Sequence, residues 1–392
     1  MVIGLFNESY PPVMDGVSRI VYDYKHTFSA LNPSDECWAL VSGPKEGFEY
    51  DRKTGEDRIL RFVMHPLPVI SPYGAGFVSR KTKHQLYSID FDIIHAHSPF
   101  YTGRLAAKIA RKKDIPLVMT FHSQFKKDIK RVVKSTFITN LVLKYIIHSF
   151  SLADEVWAVN SNTADVLRSY GFKGEIRVVR NFTEFRRKSD EEIESLRKEG
   201  RKHFAINDDE KVLLFVGQQR KEKNPDLVLE CVKKLRDENF SVKFISVGDG
   251  PDSGKYKEYV KKNGLEDCVI FTGTITDRNL MEKIYASADL FCFPSRYDTA
   301  GIVVQEASCL NLPSLLPKGA VCTEGCIDNH NAFLSEDDVK SYSESIKRIL
   351  SDDELRRKVG KTASMEIARE KEEAIKEVRD LYSQIIDNYN SK

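Results

Sequence analysis

The chain has 392 residues, 41% of them hydrophobic and 30% charged, which suits a globular protein of two ordinary domains, each able to bury its own core. Sixty Lys and Arg stand against 58 Asp and Glu, and the resulting net charge of +2 gives no global reason to expect a nucleic-acid partner. Seven cysteines, an odd number scattered from Cys37 to Cys326, argue against a disulfide framework and for reduced thiols. Val2–Phe6 is too short and lacks the basic flank of a signal peptide, and no apolar run reaches the roughly eighteen residues of a membrane span. The expected location is the cytoplasm, dissolved or resting peripherally on the inner face of the cell membrane.

In chain order, Val2–Phe6 reads as a buried strand and leads through Tyr10-Pro11-Pro12 to Gly16. A glycine at this first strand–helix turn lets the backbone approach a ligand, or simply serves the turn. Ser18 is the expected cap of a helix from about Arg19 to Leu31. Cys37–Ser42, Ile59–Val63 and Asp92–His97 read as further strands. Asp90-Phe91-Asp92 has the spacing of a metal-binding acid pair, but it opens a strand among solvated acids, and Cys322 and Cys326 lack a second pair at zinc spacing. No metal site is expected. Pro116–Phe121 is the next strand and leaves His122 at its carboxyl end, where doubly wound sheets gather ligands. A structural histidine is the plainer alternative.

Lys126–Phe150 has an unusual composition. Lys126, Lys127, Lys130, Arg131, Lys134 and Lys144 stand against Asp128 alone, and Ile129, Val132, Val133, Phe137, Leu141, Tyr145 and Ile146 recur near helical spacing. The stretch reads as a basic amphipathic helix suited to an anionic bilayer surface, with Lys126, Lys127, Lys130, Arg131 and Lys134 as the contacts. A core-packed helix with solvated lysines has the same periodicity. Glu155–Val159 and Ile176–Asn181 complete the first set of strands, and the charge-dense Arg186–Lys202 reads as a solvated linking helix.

Val212–Val216 opens the second set, followed by a turn from Gly217 through Gln218 and Arg220 to Lys223. Val242–Val247 leads into Gly248-Asp249-Gly250-Pro251, a generic turn by itself. Leu290–Phe293 is a short buried strand, Arg296–Gly301 a polar turn, and Ile302–Leu310 a helix. Its first turn, on Thr299, Ala300, Gly301 and Ile302, points backbone N–H groups and the positive helix end at one spot. Asp298 and Glu306 flank that spot. The unit suits an anion held beside groups that accept hydroxyl hydrogen bonds, and a nucleotide sugar has both parts.

Asp298 followed after seven residues by Glu306, with Pro294-Ser295 before it and Gly301-Ile302-Val303 inside, resembles the E-x7-E signature of retaining glycosyltransferases of family 4. Tyr10-Pro11-Pro12, Asp92 to Pro99, Thr120-Phe121-His122 and the turns at Lys223 and Gly248 resemble the family's other motifs, in order. The resemblance implies the α/β GT-B fold, with two doubly wound Rossmann-like domains facing across a cleft. It places an acceptor-side domain at residues 1–182 and a nucleotide-sugar domain at 183–369, and returns a final helix, about 370–392, to the first. It further implies that His122 contacts the transferred sugar, Lys223 the donor diphosphate, Glu306 the ribose and Asp298 a sugar hydroxyl. Gly16, Gly248 and the Thr299–Ile302 backbone would lie along the donor.

Three positions depart from the family pattern. Gln218 stands where the family has Arg, Asp298 where it has Glu, and Asp15-Gly16 where it has a glycine pair; Arg220 is the candidate to supply the charge missing at 218. The implied activity is metal-independent, retaining transfer of a hexose from a nucleotide sugar, most commonly a UDP-sugar. The resemblance does not extend to the acceptor: the Lys126–Phe150 segment slightly favours a membrane lipid such as diacylglycerol over a cell-surface glycan or lipid-linked acceptor. The nucleotide sugar is a co-substrate, and no cofactor is expected. The alternative is a non-catalytic GT-B subunit that binds a nucleotide sugar and supports a partner enzyme; an epimerase or phosphorylase accounts less well for Asp298, Glu306 and Lys223 together.

Overall fold

The computed structural model describes residues 1–13, 15–66, 74–76 and 78–392, without the side chains of 64–66, 74–76 and 131. The described chain divides into two compact units, Met1–Asn181 with Lys371–Lys392, and Phe182–Glu370.

The first unit begins β1 (Val2–Asn7), α1 (Gly16–Leu31), β2 (Glu36–Gly43), α2 (Lys45–Thr54), β3 (Ile59–Pro66), β4 (Gly74–Gly76) and α3 (Arg80–Ser88). It continues with β5 (Ile93–Ala96), α4 (Tyr101–Lys113), β6 (Leu117–Phe121), α5 (Phe125–Val132), α6 (Thr136–Phe150), β7 (Glu155–Ala158), α7 (Ser161–Ser169) and β8 (Arg177–Val178). The strands form one sheet in the order β4-β3-β2-β1-β5-β6-β7-β8, parallel except for the β3–β4 pair. Helices cover the sheet, so its central strands are buried along their whole length and read as largely apolar runs, with His95 and Thr120 as the polar exceptions, rather than alternating ones.

Two expectations for this unit need correction. Asp15, not Ser18, caps α1: its carboxylate accepts from Val17 N and Ser18 N at 2.9 and 2.8 Å, and Ser18 Oγ accepts from Asp15 N at 2.7 Å. The serine is the third-residue partner in a capping box, and the helix starts at Gly16. Lys126–Phe150 is two helices, not one. The backbone turns extended at Val133, and Ser135 provides a new cap for α6. A β-branched pair followed by a serine favours such a restart.

The second unit contains α8 (Asp190–His203), β9 (Val212–Val216), α9 (Pro225–Asp237), β10 (Lys243–Val247), α10 (Ser253–Lys262), β11 (Val269–Gly273) and α11 (Arg278–Ser287). Then come β12 (Leu290–Cys292), α12 (Ile302–Cys309), β13 (Ser314–Pro317), β14 (Phe333–Ser335), α13 (Val339–Leu350) and α14 (Asp353–Glu366). Its parallel sheet runs β11-β10-β9-β12-β13-β14. The stretch read as a solvated linker is part of this unit's core. α8 packs on α11, and Arg197 and the buried Arg201 hold the two oxygens of Asp289 at 2.8 and 3.0 Å. That carboxylate also accepts from Val212 N at 2.8 Å, so the pair of arginines fixes where β9 and β12 begin.

The final helix, α15 (Lys371–Asn390), belongs to the first unit. Tyr382 stacks on Trp157 and Phe28, and Arg379 Nε donates to Asp35 at 2.7 Å. Among the described residues no helix is long and apolar enough to cross a membrane, and all seven cysteines are free thiols.

Both sheets are doubly wound. The chain leaves β1 toward β2 and β3, then returns to the other side of β1 with β5. In the second unit it leaves β9 toward β10 and β11 and returns beside it with β12. Ligands of open α/β sheets bind at such switch points, outside the carboxyl ends of the strands. The loops after β1 and β5, and after β9 and β12, therefore carry the candidate chemistry.

Candidate active site

In the second unit, the turn after β9 holds Lys223. It is fastened to the turn after β10: Gly217 N donates to Val247 O at 3.0 Å, Gln219 N to Asp249 O at 3.1 Å and Lys221 N to Asp252 Oδ2 at 2.9 Å. Gly248 makes that contact possible, with φ +119° and a Cβ position only 2.0 Å from Gly217 O. This packing need accounts for the glycine.

Lys223 Nζ is paired with Asp298 Oδ1, across the switch point from β9 to β12. The other oxygen of Asp298 accepts from Ser295 Oγ at 2.5 Å, and the ammonium lies 5.8 and 5.7 Å from the rings of Phe293 and Tyr297. Thr299 and Ala300 are half-buried on the way into α12, and Gly301 caps the helix in the left-handed region at φ +56° with no side-chain cap. Ile302 is the first helical residue. The arrangement is a cation, a carboxylate and a helix N-terminus in one loop cluster.

Gln218 is exposed, and its Oε1 accepts from Arg220 Nη1 at 3.2 Å, so a guanidinium stands directly beside the position where family 4 carries its arginine. Glu306 is buried, and each oxygen already has a donor: Arg278 Nη2 at 2.6 Å and Tyr285 Oη at 2.6 Å. Arg278 also pairs with Glu184 at 2.5 Å and lies over the ring of Phe185. Burial first, and the Glu306 carboxylate second, push the Tyr285 phenol well above its usual range, which keeps it a donor. A carboxylate has about four lone-pair sites, so Glu306 retains acceptor capacity. Neither Arg278 nor Tyr285 was singled out from sequence, although their spacing of seven puts them on one face of α11.

In the first unit, His122 follows β6 and is buried. Its Nε2 lies 3.0 Å from His97 Nδ1, at the end of the neighbouring β5. His95, two residues before His97, bridges Thr120 Oγ1 at 2.6 Å and Tyr382 Oη at 2.5 Å. Burial lowers the His122 pKa to about 3 and holds the other two well below the usual histidine range, so all three are neutral imidazoles. Gly16 is exposed, with ordinary backbone φ and nothing within 4 Å of where a Cβ would stand. The described surroundings do not themselves require a glycine there.

The remaining candidates are placed as follows. Lys126, Lys127, Lys130 and Lys134 are exposed on or just after α5, while the Arg131 side chain is outside the described residues. Asp92 accepts from Val2 N at 2.6 Å and Asp90 pairs with Lys113 at 3.6 Å, which gives both acids of the D-x-D stretch structural partners. A concavity of about 720 Å³ lies at the amino ends of β7 and β8, whereas His122 follows the carboxyl end of β6.

Residues 14–187 match the family described as Glycosyltransferase Family 4, and residues 197–365 match Glycosyl transferases group 1. The chain belongs to family 4 of the glycosyltransferases. Two similar proteins are named alpha-monoglucosyldiacylglycerol synthase. That of Streptococcus pneumoniae is 29% identical over 329 residues, covering 80% of this chain and 70% of its own. That of Acholeplasma laidlawii is 24% identical over 408 residues, covering 100% and 99%. Among solved structures, sucrose-phosphate synthase from Thermosynechococcus elongatus aligns with a TM-score of 0.78 at 18% identity, over 99% of both chains. Alr3699/HepE of Anabaena, solved with UDP and glucose, aligns at 0.74 and 16%, over 97% of this chain and 99% of that one. At such identities these structures bear on the fold, and the fold is GT-B, as the family 4 resemblance implied.

Proposed function

We propose that this family 4 glycosyltransferase moves a hexosyl group from a UDP-sugar to a lipid acceptor of the diacylglycerol type, with retention of anomeric configuration and without a metal ion. The observation that carries the reading is the meeting of Lys223 and Asp298 at the β9–β12 switch point, beside the N-terminus of α12. The names of the Streptococcus and Acholeplasma relatives favour diacylglycerol over the other acceptors, and the UDP in the Anabaena structure favours UDP over GDP.

In this reading the donor diphosphate lies against Lys223 and the Thr299–Ile302 backbone, with Arg220 supplying the second positive charge that Gln218 lacks. Glu306 accepts from the ribose hydroxyls while Arg278 and Tyr285 hold its orientation. Asp298 accepts from a sugar hydroxyl, and His122 of the first unit is a neutral hydrogen-bonding group suited to a sugar. The bond between the anomeric carbon and the phosphate oxygen breaks, and the acceptor oxygen bonds to that carbon on the same face. The departing phosphate oxygen takes the acceptor's proton. Fixed donors aimed at the leaving oxygen lower the barrier because they need no reorganisation as charge develops.

The test is nucleotide release from a panel of UDP- and GDP-sugars, with and without liposomes containing diacylglycerol. UDP release that requires the liposomes and yields an α-linked glycolipid is the expected result. Release that ignores them redirects the acceptor to a glycan. Silence across the panel together with tight nucleotide binding favours the non-catalytic subunit, the reading that the uncharged Gln218 supports.

A further inference from the structure

α6 is apolar on two faces. Leu143, Ile146 and Phe150 face the core, whereas Phe137, Ile138, Leu141 and Tyr145 face solvent with 79, 44, 60 and 42% of their surface exposed. At helical spacing these four cover one continuous arc, and Lys144 and His148 lie on it too. The exposure is concentrated on this element: of the nine exposed large hydrophobic residues among those described, four are here and the other five are scattered. Fifteen residues make a helix about 22 Å long, too short for the roughly 30 Å hydrocarbon core of a bilayer.

The surroundings of the arc are cationic. α5 packs against α6 and brings the exposed Lys126, Lys127 and Lys130, with Lys134 between the two helices. The Arg104 guanidinium of α4 lies 5.3 Å from the centre of the Tyr145 ring. From residue 80 to residue 150 the sequence has fourteen Lys and Arg against four Asp and Glu, and none of the four is on α6. A second copy of the chain would set this excess against itself. An anionic lipid surface supplies both the apolar depth for Phe137 and Leu141 and the negative charge for the lysines.

We infer that the outward face of α6 lies in the interface of an anionic bilayer, with Phe137 and Leu141 as the inserted side chains and the α5 lysines on the headgroups. This deepens the lipid-acceptor reading and rests on it for its purpose, but not for its test. It also differs from the sequence expectation, which made the basic α5 stretch and the apolar α6 stretch one amphipathic helix. α5 begins three residues after His122, so docking here brings the carboxyl end of β6 to the lipid surface.

The full chain, without donor or acceptor, is sedimented with vesicles of phosphatidylcholine alone and of phosphatidylcholine with one-third phosphatidylglycerol. Binding is expected only to the anionic vesicles and weakens as salt is raised from about 0.1 to 0.5 M. Phe137→Ser with Leu141→Ser should weaken it by at least about tenfold, while UDP binding by thermal shift stays unchanged and reports an intact fold. Three results overturn the inference: wild type stays in the supernatant, the double variant sediments like wild type, or light scattering shows a dimer that the double variant dissolves. Docking with no glycolipid product in the transfer assay would sink the lipid-acceptor reading alone, and a glycolipid product without docking would sink this one alone.

Discussion

Lys223 and Asp298, 75 positions apart, form an ion pair at the crevice between β9 and β12. The carboxylate is further engaged by Ser295, so the ammonium is held in place before any ligand arrives. A donor diphosphate must then share or take over that cation. Lys223→Ala should lower turnover by about two to three orders of magnitude, the cost of removing a fixed donor from a developing oxyanion. Asp298→Asn should separate the two roles: UDP binds more tightly by calorimetry because Lys223 is released, yet turnover falls because the sugar loses a charged acceptor. Unchanged UDP affinity in that variant would mean the pair does not compete with the diphosphate.

Arg220 and Gln218 lead to a compensation experiment. If the guanidinium beside Gln218 supplies the missing charge, Arg220→Ala weakens UDP-sugar binding about tenfold, as expected for one charge-assisted hydrogen bond. Adding Gln218→Arg to that variant should restore most of the loss. In the wild-type background Gln218→Arg should do little, because it sets a second guanidinium against the first. Restoration failing in the double variant would remove Arg220 from the donor site.

The buried histidines predict an acid-labile first unit. The His122 pKa falls from 6.5 to about 3 on folding, because burial disfavours the charged ring. A histidine lowered in this way contributes its stability in full above the unfolded value near 6.5 and loses it progressively as pH falls from there toward 3. His95 and His97 act in the same direction. The urea midpoint should therefore drop between pH 7 and pH 5, and the drop should shrink in His122→Asn without vanishing. An identical pH dependence in that variant would show that His122 is not the buried neutral ring described.

Glu306 predicts a structural cost beside any catalytic one. Glu306→Ala leaves the buried Tyr285 hydroxyl without its acceptor and Arg278 with Glu184 alone. A loss of about 1–3 kcal/mol is expected from the orphaned phenol, read as a lower thermal midpoint. Adding Tyr285→Phe should recover part of it. Activity lost with an unchanged midpoint would make Glu306 a ligand contact only.

Much of this arrangement was legible along the chain. Buried parallel strands reveal themselves as short apolar runs, which is why β1, β6 and β9 were placed within a residue or two. A strand end then pointed to His122 and a strand–turn–helix unit to Asp298, while Lys223 was marked by the family 4 resemblance. Ser18 and Lys126–Phe150 were misread for local reasons: two good caps lay within one turn, and helical periodicity does not register a break when the apolar spacing continues across it.

The sequence by itself determined the strands, the family, and the residues that stand at the carboxyl ends of the strands, because strands show as local apolar runs and the family as motifs in order along the chain. Only the tertiary structure decided that Lys223 meets Asp298, that Glu306 is held by Arg278 and Tyr285, and that α6 keeps a second apolar face uncovered. Each depends on which distant elements become neighbours: β12 returning beside β9, α11 bringing Arg278 and Tyr285 to Glu306 of α12, and, among the described residues, no element covering the outward side of α6. Strand order and helix packing are set by how the whole chain closes over its core, and no local pattern of residues carries that information.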